Sequence, residues 1–402
     1  MQTDGGGAKL LITCGCLFYA GSIAAVLLIS IIFAAFGDDE IDIDKKFLEQ
    51  MSEDRLTEDG KEYLKDHQEA MKDNKLWDAA LQKEINWTVL EAIYKGTVES
   101  DEQDSCDDHW IGPMKMKELN WSGNQLLNEF PNAKTNFSNC GDIHDDYQDY
   151  LTDVERLKKY NEQSSQNKED CIKRAREEKK EQFCEAYGED GDQDEKADPN
   201  DEPDAFMSAA NLLGNYKGIY GNLGQALNIA YGENEKFLRA VKNQVIAWYK
   251  DPSEFGILRW PVNPDQAENK VVTQRGETGL TIKAKDGEAV FAVGTGEITE
   301  VDSNATCGVK LTHQFEENNQ RISTLYCNLK EIKVKKGDFV NIHDEIGKVG
   351  QQPLTIKIIR ESGNESEDEN NRDNQDVNIN PEEYLTAPND VKFEEQQGQE
   401  EQ

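Results

Sequence analysis

The residue pattern predicts a multidomain chain: an N-terminal transmembrane helix, a mainly-α domain, then an all-β domain. Leu10 to Phe36 carries no charge, apolar residues recur at helical spacing from Leu76 to Tyr249, and short β-type runs separated by Gly and Asp turns follow Asp251-Pro252. The 402 residues leave room for roughly two folded domains of about 150 residues each, plus tails.

As a helix, residues 10–36 are roughly 40 Å long, enough to cross a bilayer with some tilt. Lys9 precedes the run and Gly37-Asp38-Asp39-Glu40 follows it, a bias that keeps residues 1–9 cytoplasmic and the bulk of the chain extracytoplasmic. A cleaved signal peptide is the rival, but the run is long and Phe36 is a poor residue before a cleavage site. The expected location is therefore the cell membrane, spanned once. A net charge of −36 argues against nucleic acid and anionic lipid as partners, since both call for basic patches.

Of the 8 cysteines, Cys14 and Cys16 lie in the membrane run. The others, in an exported chain, read as disulfides. Cys171 and Cys184 flank the helix-prone CIKRAREEKKEQFC, which as a continuous helix separates them by roughly 20 Å. Cys106 and Cys140 are therefore expected to pair each with Cys171 or Cys184, and Cys307 with Cys327. A zinc site from Cys106, His109, Cys140 and His144 is the alternative use of the first two.

Residues 37–75 are charged and helix-prone, with Phe47, Met51, Leu56, Tyr63 and Leu64 widely spaced, and read as a stalk. The mainly-α domain is expected over 76–251, with a polar insertion over about 142–203 that contains GEDGDQDEKADPNDEPD. The all-β domain is expected over 256–361. Residues 362–402 are acidic, rich in Asn and Gln and poor in large apolar residues, and read as a disordered tail.

Within the helical region, NWTVLEAIYKGTVES resembles the catalytic-helix signature of lysozyme-like lytic transglycosylases, which ends in Glu-Ser. GPMKMKELNW is similar to that family's following Gly-Pro-Met segment, DPNDEPDAFMSAANLL to its Asp-Pro helix, and GNLGQALNIAYGEN to its Ala-Tyr-Asn loop. The resemblance implies Glu99 as the catalytic acid, with Ser100, Gly112, Met114, Lys115 and Tyr231 against the sugar. A carboxyl at the end of an apolar helix in a cleft can stay protonated near neutral pH, as delivery of a proton to a leaving oxygen requires. Lys115 stands where the family has Gln, and Gly232 where it has Asn.

The second resemblance covers residues 257–361. LRWPV, then ETGLTIKAKDGEAVFAVGTGEITEV, then LYCNLKEIKVKKGDFVNIHDEIGKVG are similar to successive segments of LytM-type (lysostaphin-like) zinc peptidase domains. The scaffold residues match, but the metal positions are occupied by Glu277, Thr281, Asn328 and, closing the set, Ile356 of Leu354-Thr355-Ile356. The domain is thus expected to be a degenerate peptidase that holds no metal, and no cofactor is implied.

Together the resemblances imply a membrane-anchored peptidoglycan glycosidase, a lytic transglycosylase or a muramidase, and not a zinc peptidase. It would open the cell wall locally, as wall hydrolases of Gram-positive conjugative elements and their type IV secretion machines do. Peptidoglycan is the expected partner, with other wall hydrolases or secretion-machine proteins beside it. The alternative is a non-enzymatic wall scaffold that binds glycan and recruits or activates other hydrolases.

Overall fold

The computed structural model describes residues 49–99, 110–111, 113–117, 121, 153–178, 184–232, 234–317, 320–361 and 376–394. The chain divides into two compact units, residues 1–54 and residues 55–402. The first is described only over its last residues, and the expected span 10–36 lies outside them. Among the described residues no helix is long and apolar enough to cross a membrane.

In the second unit the chain is helical first and β-rich afterwards. Helix α1 (Glu58–Asp73) starts where the Thr57 side chain accepts the Gly60 N–H; Glu58 and Asp59 sit in its first turn and Lys72 in its last, as the helix dipole favours. Leu64 and Met71 are buried, two turns apart on one face. After Lys75, in a left-handed conformation at φ 66°, come α2 (Leu76–Gln82) and α3 (Trp87–Glu99). Residues 58–73, expected in a stalk, instead belong to the helical body. Leu56 pairs with Tyr249, and the Tyr63 ring lies 4.2 Å from that of Trp248.

Helix α4 (Val154–Glu178) lies in the expected insertion. Cys171 on it is bonded to Cys184, with 5.7 Å between their Cα atoms. This corrects the expectation that each would pair with Cys106 or Cys140. With their Cα atoms 5.7 Å apart, the two cysteines are not separated by one continuous helix, and the expected 20 Å does not arise. Cys106, His109, Cys140 and His144 lie outside the described residues.

Helix α5 (Glu202–Tyr220) is the centre of the helical half, buried on several sides through Ala205, Phe206, Ala209, Leu212, Leu213 and Tyr216. It ends at Gly221, whose φ of 99° suits glycine. Asn222 caps α6 (Leu223–Tyr231) by accepting from Gln225 N–H, and Asn234 caps α7 (Glu235–Trp248) by accepting from Phe237 N–H. Helix α7 packs along α3 and α1.

The β half holds β3 (Val271–Gln274), β4 (Leu280–Ile282), β5 (Ala289–Phe291), β6 (Gly296–Val301), β7 (Cys307–Glu317) and β8 (Gln320–Cys327). After them come β9 (Leu329–Lys330), β10 (Phe339–Val340), β11 (Glu345–Val349) and β12 (Leu354–Arg360). The short pair β1 (Trp110–Ile111) and β2 (Met116–Lys117) lies earlier, in the helical half. A sheet runs in the order β10-β6-β7-β8-β12-β4-β3 and a second, smaller one in the order β5-β11-β9. Alternation on β12 puts Leu354, Ile356 and Ile358 into the core with Leu280, Ile282, Val290 and Tyr326. Cys307 and Cys327, directly opposed on β7 and β8, are joined by a disulfide.

Part of the expected disordered tail is built into this half. β13 (Val377–Ile379) pairs with β12, and β14 (Lys392–Phe393) adds to β3 in parallel. Between them Tyr384 and Leu385 are buried, and Leu258 exchanges main-chain hydrogen bonds with Tyr384 and Thr386. The acidic composition hides a few well-spaced apolar anchors, which suffice to order residues 376–394.

Candidate functional site

The registers of the large sheet place one row of residues across five strands: Cys307 on β7, Cys327 on β8, Thr355 on β12, Thr281 on β4 and Gln274 on β3. Directly opposed residues share a face of the sheet. The Thr281 and Thr355 hydroxyls lie 3.0 Å apart, Gln274 Nε2 donates to the Thr278 hydroxyl at 3.1 Å, and the Thr273 hydroxyl reaches the Thr281 carbonyl at 3.5 Å. Gln274 is exposed and Thr281 and Thr355 are half-buried, so the row presents two hydroxyls and an amide, bounded by the disulfide.

Two of the metal positions expected from sequence, Thr281 and Ile356, lie on opposite faces. Thr281 is on this row, but Ile356 is fully buried on the other face of β12, opposite Leu280 and Tyr326. Strand alternation makes Thr355, not Ile356, the neighbour of Thr281. Glu277 is exposed in the turn before β4, between Gly276 and Gly279, both at positive φ. Asn328, at φ 64°, donates through its side-chain amide to the Pro353 carbonyl at 2.8 Å.

A zinc ion takes thiolate, imidazole or carboxylate ligands that converge on one point. The hydroxyls, amide and disulfide of this row do not supply that set. His313 is buried, its Nε2 within 2.8 Å of the Thr324 hydroxyl, and burial pushes its imidazole down to about 4. His343 is held below its ordinary value by burial and by the nearby Arg259 guanidinium. Among the described residues, the only three or more His, Cys, Asp or Glu close enough to share an ion are Asp190, Asp192 and Asp204, outside the β half. The described residues of this row therefore do not supply a set of zinc ligands.

In the helical half, Tyr231 is buried on α6 and its hydroxyl donates to the Met114 carbonyl at 3.2 Å, so these two are in contact. Lys115, at φ 45°, sets its ammonium 4.9 Å from the Phe237 ring centroid. Glu99 ends α3, but its side chain lies outside the described residues, as do Ser100 and Gly112. Sequence reasoning passed over Thr355, which only the strand register brings to Thr281. It also passed over Glu91, buried on α3 with the Tyr63 hydroxyl donating to it at 2.6 Å. The spacing of Glu91 among apolar residues was the available signal.

Residues 275–360 match Peptidase family M23, so the β half is an M23-like, or LytM-like, domain following a helical region. Among solved structures, the chain is similar to a zinc-containing peptidase from Vibrio cholerae, at 20% identity over 30% of this chain and 37% of that one, with a TM-score of 0.22. It is also similar to Csd3 from Helicobacter pylori, at 21% identity over 26% of this chain and 30% of that one, with a TM-score of 0.21. The catalytic domain of lysostaphin from Staphylococcus simulans is similar at 26% identity over 20% of this chain and 65% of that one, with a TM-score of 0.17. The chain spans less than half the length of the first two. No curated protein matches it by sequence.

These findings correct the expectation of a peptidoglycan glycosidase that is not a zinc peptidase. The matched family is a peptidase family, and the match falls on the β half.

Proposed function

We propose that this chain works on the peptide part of the cell wall, its M23-like domain engaging wall peptide along the Gln274–Thr281–Thr355 row. Residues 10–36 would hold it at the outer face of the membrane, beside other wall hydrolases or secretion-machine proteins. The match of residues 275–360 to the peptidase family carries this reading. The polar row supports it: hydroxyls and an amide on neighbouring strands offer the donors and acceptors that an extended peptide backbone needs. No step is routed through zinc, because the described residues of the row do not supply its ligands.

The test is competition. Labelled peptidoglycan is bound to the purified full chain and challenged with soluble wall peptides, for the parent and for Thr355→Trp, which fills the row with a bulky ring. The reading expects peptides to displace the glycan-linked material and Thr355→Trp to weaken binding about tenfold or more, the scale of one lost anchoring contact. Binding that ignores both free peptide and Thr355→Trp would refute it.

A further inference from the structure

A cleft of about 250 Å³ lies where α6, α7 and the segment following β13 meet the β half. It is separate from the Gln274–Thr281–Thr355 row, because Leu280, which lines it, alternates with Thr281 along β4 and so faces the other side of the sheet. Leu238, Trp260, Leu385 and Phe393 give the cleft apolar walls.

Three side chains of the lining carry donors that the fold does not use up. Thr386 is 3% exposed, and its hydroxyl has no hydrogen-bond partner among the described residues. Lys242, equally buried, spends its ammonium on two neutral oxygens, Asn228 Oδ1 and, at 3.4 Å, the Glu383 carbonyl, which leaves one N–H over. Among the described residues no carboxylate oxygen lies within 4.0 Å of that ammonium. Arg239, nearly one turn earlier on α7, is mostly buried. Its guanidinium reaches the Asn389 carbonyl at 3.5 Å and, among the described residues, comes no nearer than 3.9 Å to a carboxylate, that of Glu235.

The acidic residues of the lining do not answer these donors. Glu382 is taken by Arg275, which reaches it through Nε and Nη2 at 2.9 Å each. Glu235 is largely exposed, and the Glu383 charge acts on the Lys242 amine from beyond ion-pair distance. Buried donors left over are unfavourable unless an acceptor reaches them. A carboxylate brings two acceptor oxygens and the negative charge that Lys242 and Arg239 lack at close range. A phosphate dianion would set a second charge near Glu235, Glu382 and Glu383 and would gain nothing from the apolar walls. The volume falls below the about 300–1,000 Å³ of sites for drug-sized ligands, so the occupant is small.

We infer that this cleft binds a small monocarboxylate with an apolar body, of the kind a short peptide presents at its C-terminal end, its oxygens reaching Thr386, Lys242 and Arg239. Binding here is independent of peptide engagement along the row.

The full chain is titrated calorimetrically with Nα-acetyl-alanyl-alanine and with its C-terminal amide. The titration is run at about pH 6, below the value of about 7 at which the buried Lys242 amine loses its proton. The acid is expected to bind saturably and the amide about tenfold or more weakly, the loss of a charge-assisted contact. Thr386→Val, which keeps the shape and removes the hydroxyl, should weaken the acid about threefold to tenfold without lowering the urea midpoint. Lys242→Met should weaken it about tenfold or more; if that variant does not fold, Arg239→Gln replaces it with the same expectation. Thr355→Trp, which fills the row, should leave binding of the acid unchanged. Absence of acid binding, equal binding of acid and amide, unchanged binding in Thr386→Val, or tighter binding of inorganic phosphate would overturn the assignment. Loss of binding in Thr355→Trp would place the peptide on the row and overturn it as well.

Discussion

Lys242 on α7 is 3% exposed, and its ammonium donates to Asn228 Oδ1 and, at 3.4 Å, to the main-chain oxygen of Glu383. It thereby ties α6 and α7 to the segment that follows β13. Burial pushes the amine down from 10.5 to about 7, with Glu383 opposing the shift. In the unfolded chain the ordinary value returns, so unfolding takes up a proton between pH 7 and 10.5 and stability rises with pH across that window. The gain is complete above 10.5 and is lost as pH falls through about 7. At 1.36 kcal/mol per pH unit the full span is roughly 5 kcal/mol, of which roughly 2 kcal/mol falls between about pH 7 and 9. Urea unfolding of the parent and of Lys242→Met, followed by tryptophan fluorescence across that range, isolates this contribution. The parent should gain about 2 kcal/mol relative to the variant on going from about pH 7 to 9. Parallel profiles would show that the folded amine keeps its ordinary value and stays charged across this range, and the burial of Lys242 between α6, α7 and residues 380–387 would be refuted.

Two further predictions concern the corrected positions. Ile356→His places an imidazole in the core of the sheet and should cost roughly 3 kcal/mol in urea unfolding, whereas Thr355→His, on the polar row, should cost about 1; the reverse order would refute the register of β12 against β4. Cys184→Ser opens the bridge to Cys171, which closes a loop with a sequence separation of 13, and should lower stability by about 3 kcal/mol in the same assay. An unchanged midpoint, or mass-spectrometric fragments linking Cys171 to Cys106 or Cys140, would refute the pairing.

Strand runs such as GEITEV and TIKIIR carry the period-2 alternation that places them in the sheet, so the β half could be read directly from residue order. Three features could not. The stretch CIKRAREEKKEQFC has no helix-breaking residue, so nothing local excludes one continuous helix; the bond between Cys171 and Cys184, with Cα atoms 5.7 Å apart, does. The segment 376–394 looked disordered because its mean composition is acidic. Order there comes from Ile379, Tyr384 and Leu385, all buried in the core of the β half. For the row, alignment by motif assigned the closing position to Ile356. A side chain's face is set by strand register, which no single strand reveals, and that register turns Thr355 towards Thr281. Glu91 was missed for a related reason: it lies among the apolar residues of α3, and its donor Tyr63 comes from α1, within the charged stretch expected to be a stalk.

The central claim is that the M23-like domain engages wall peptide. It is tested most directly by cosedimenting the full chain with intact sacculi and with sacculi stripped of their peptides by an amidase. The account predicts that removing the peptides lowers the bound fraction about tenfold or more, the loss of at least one anchoring contact. Equal binding to bare glycan strands would contradict it and place recognition elsewhere in the chain.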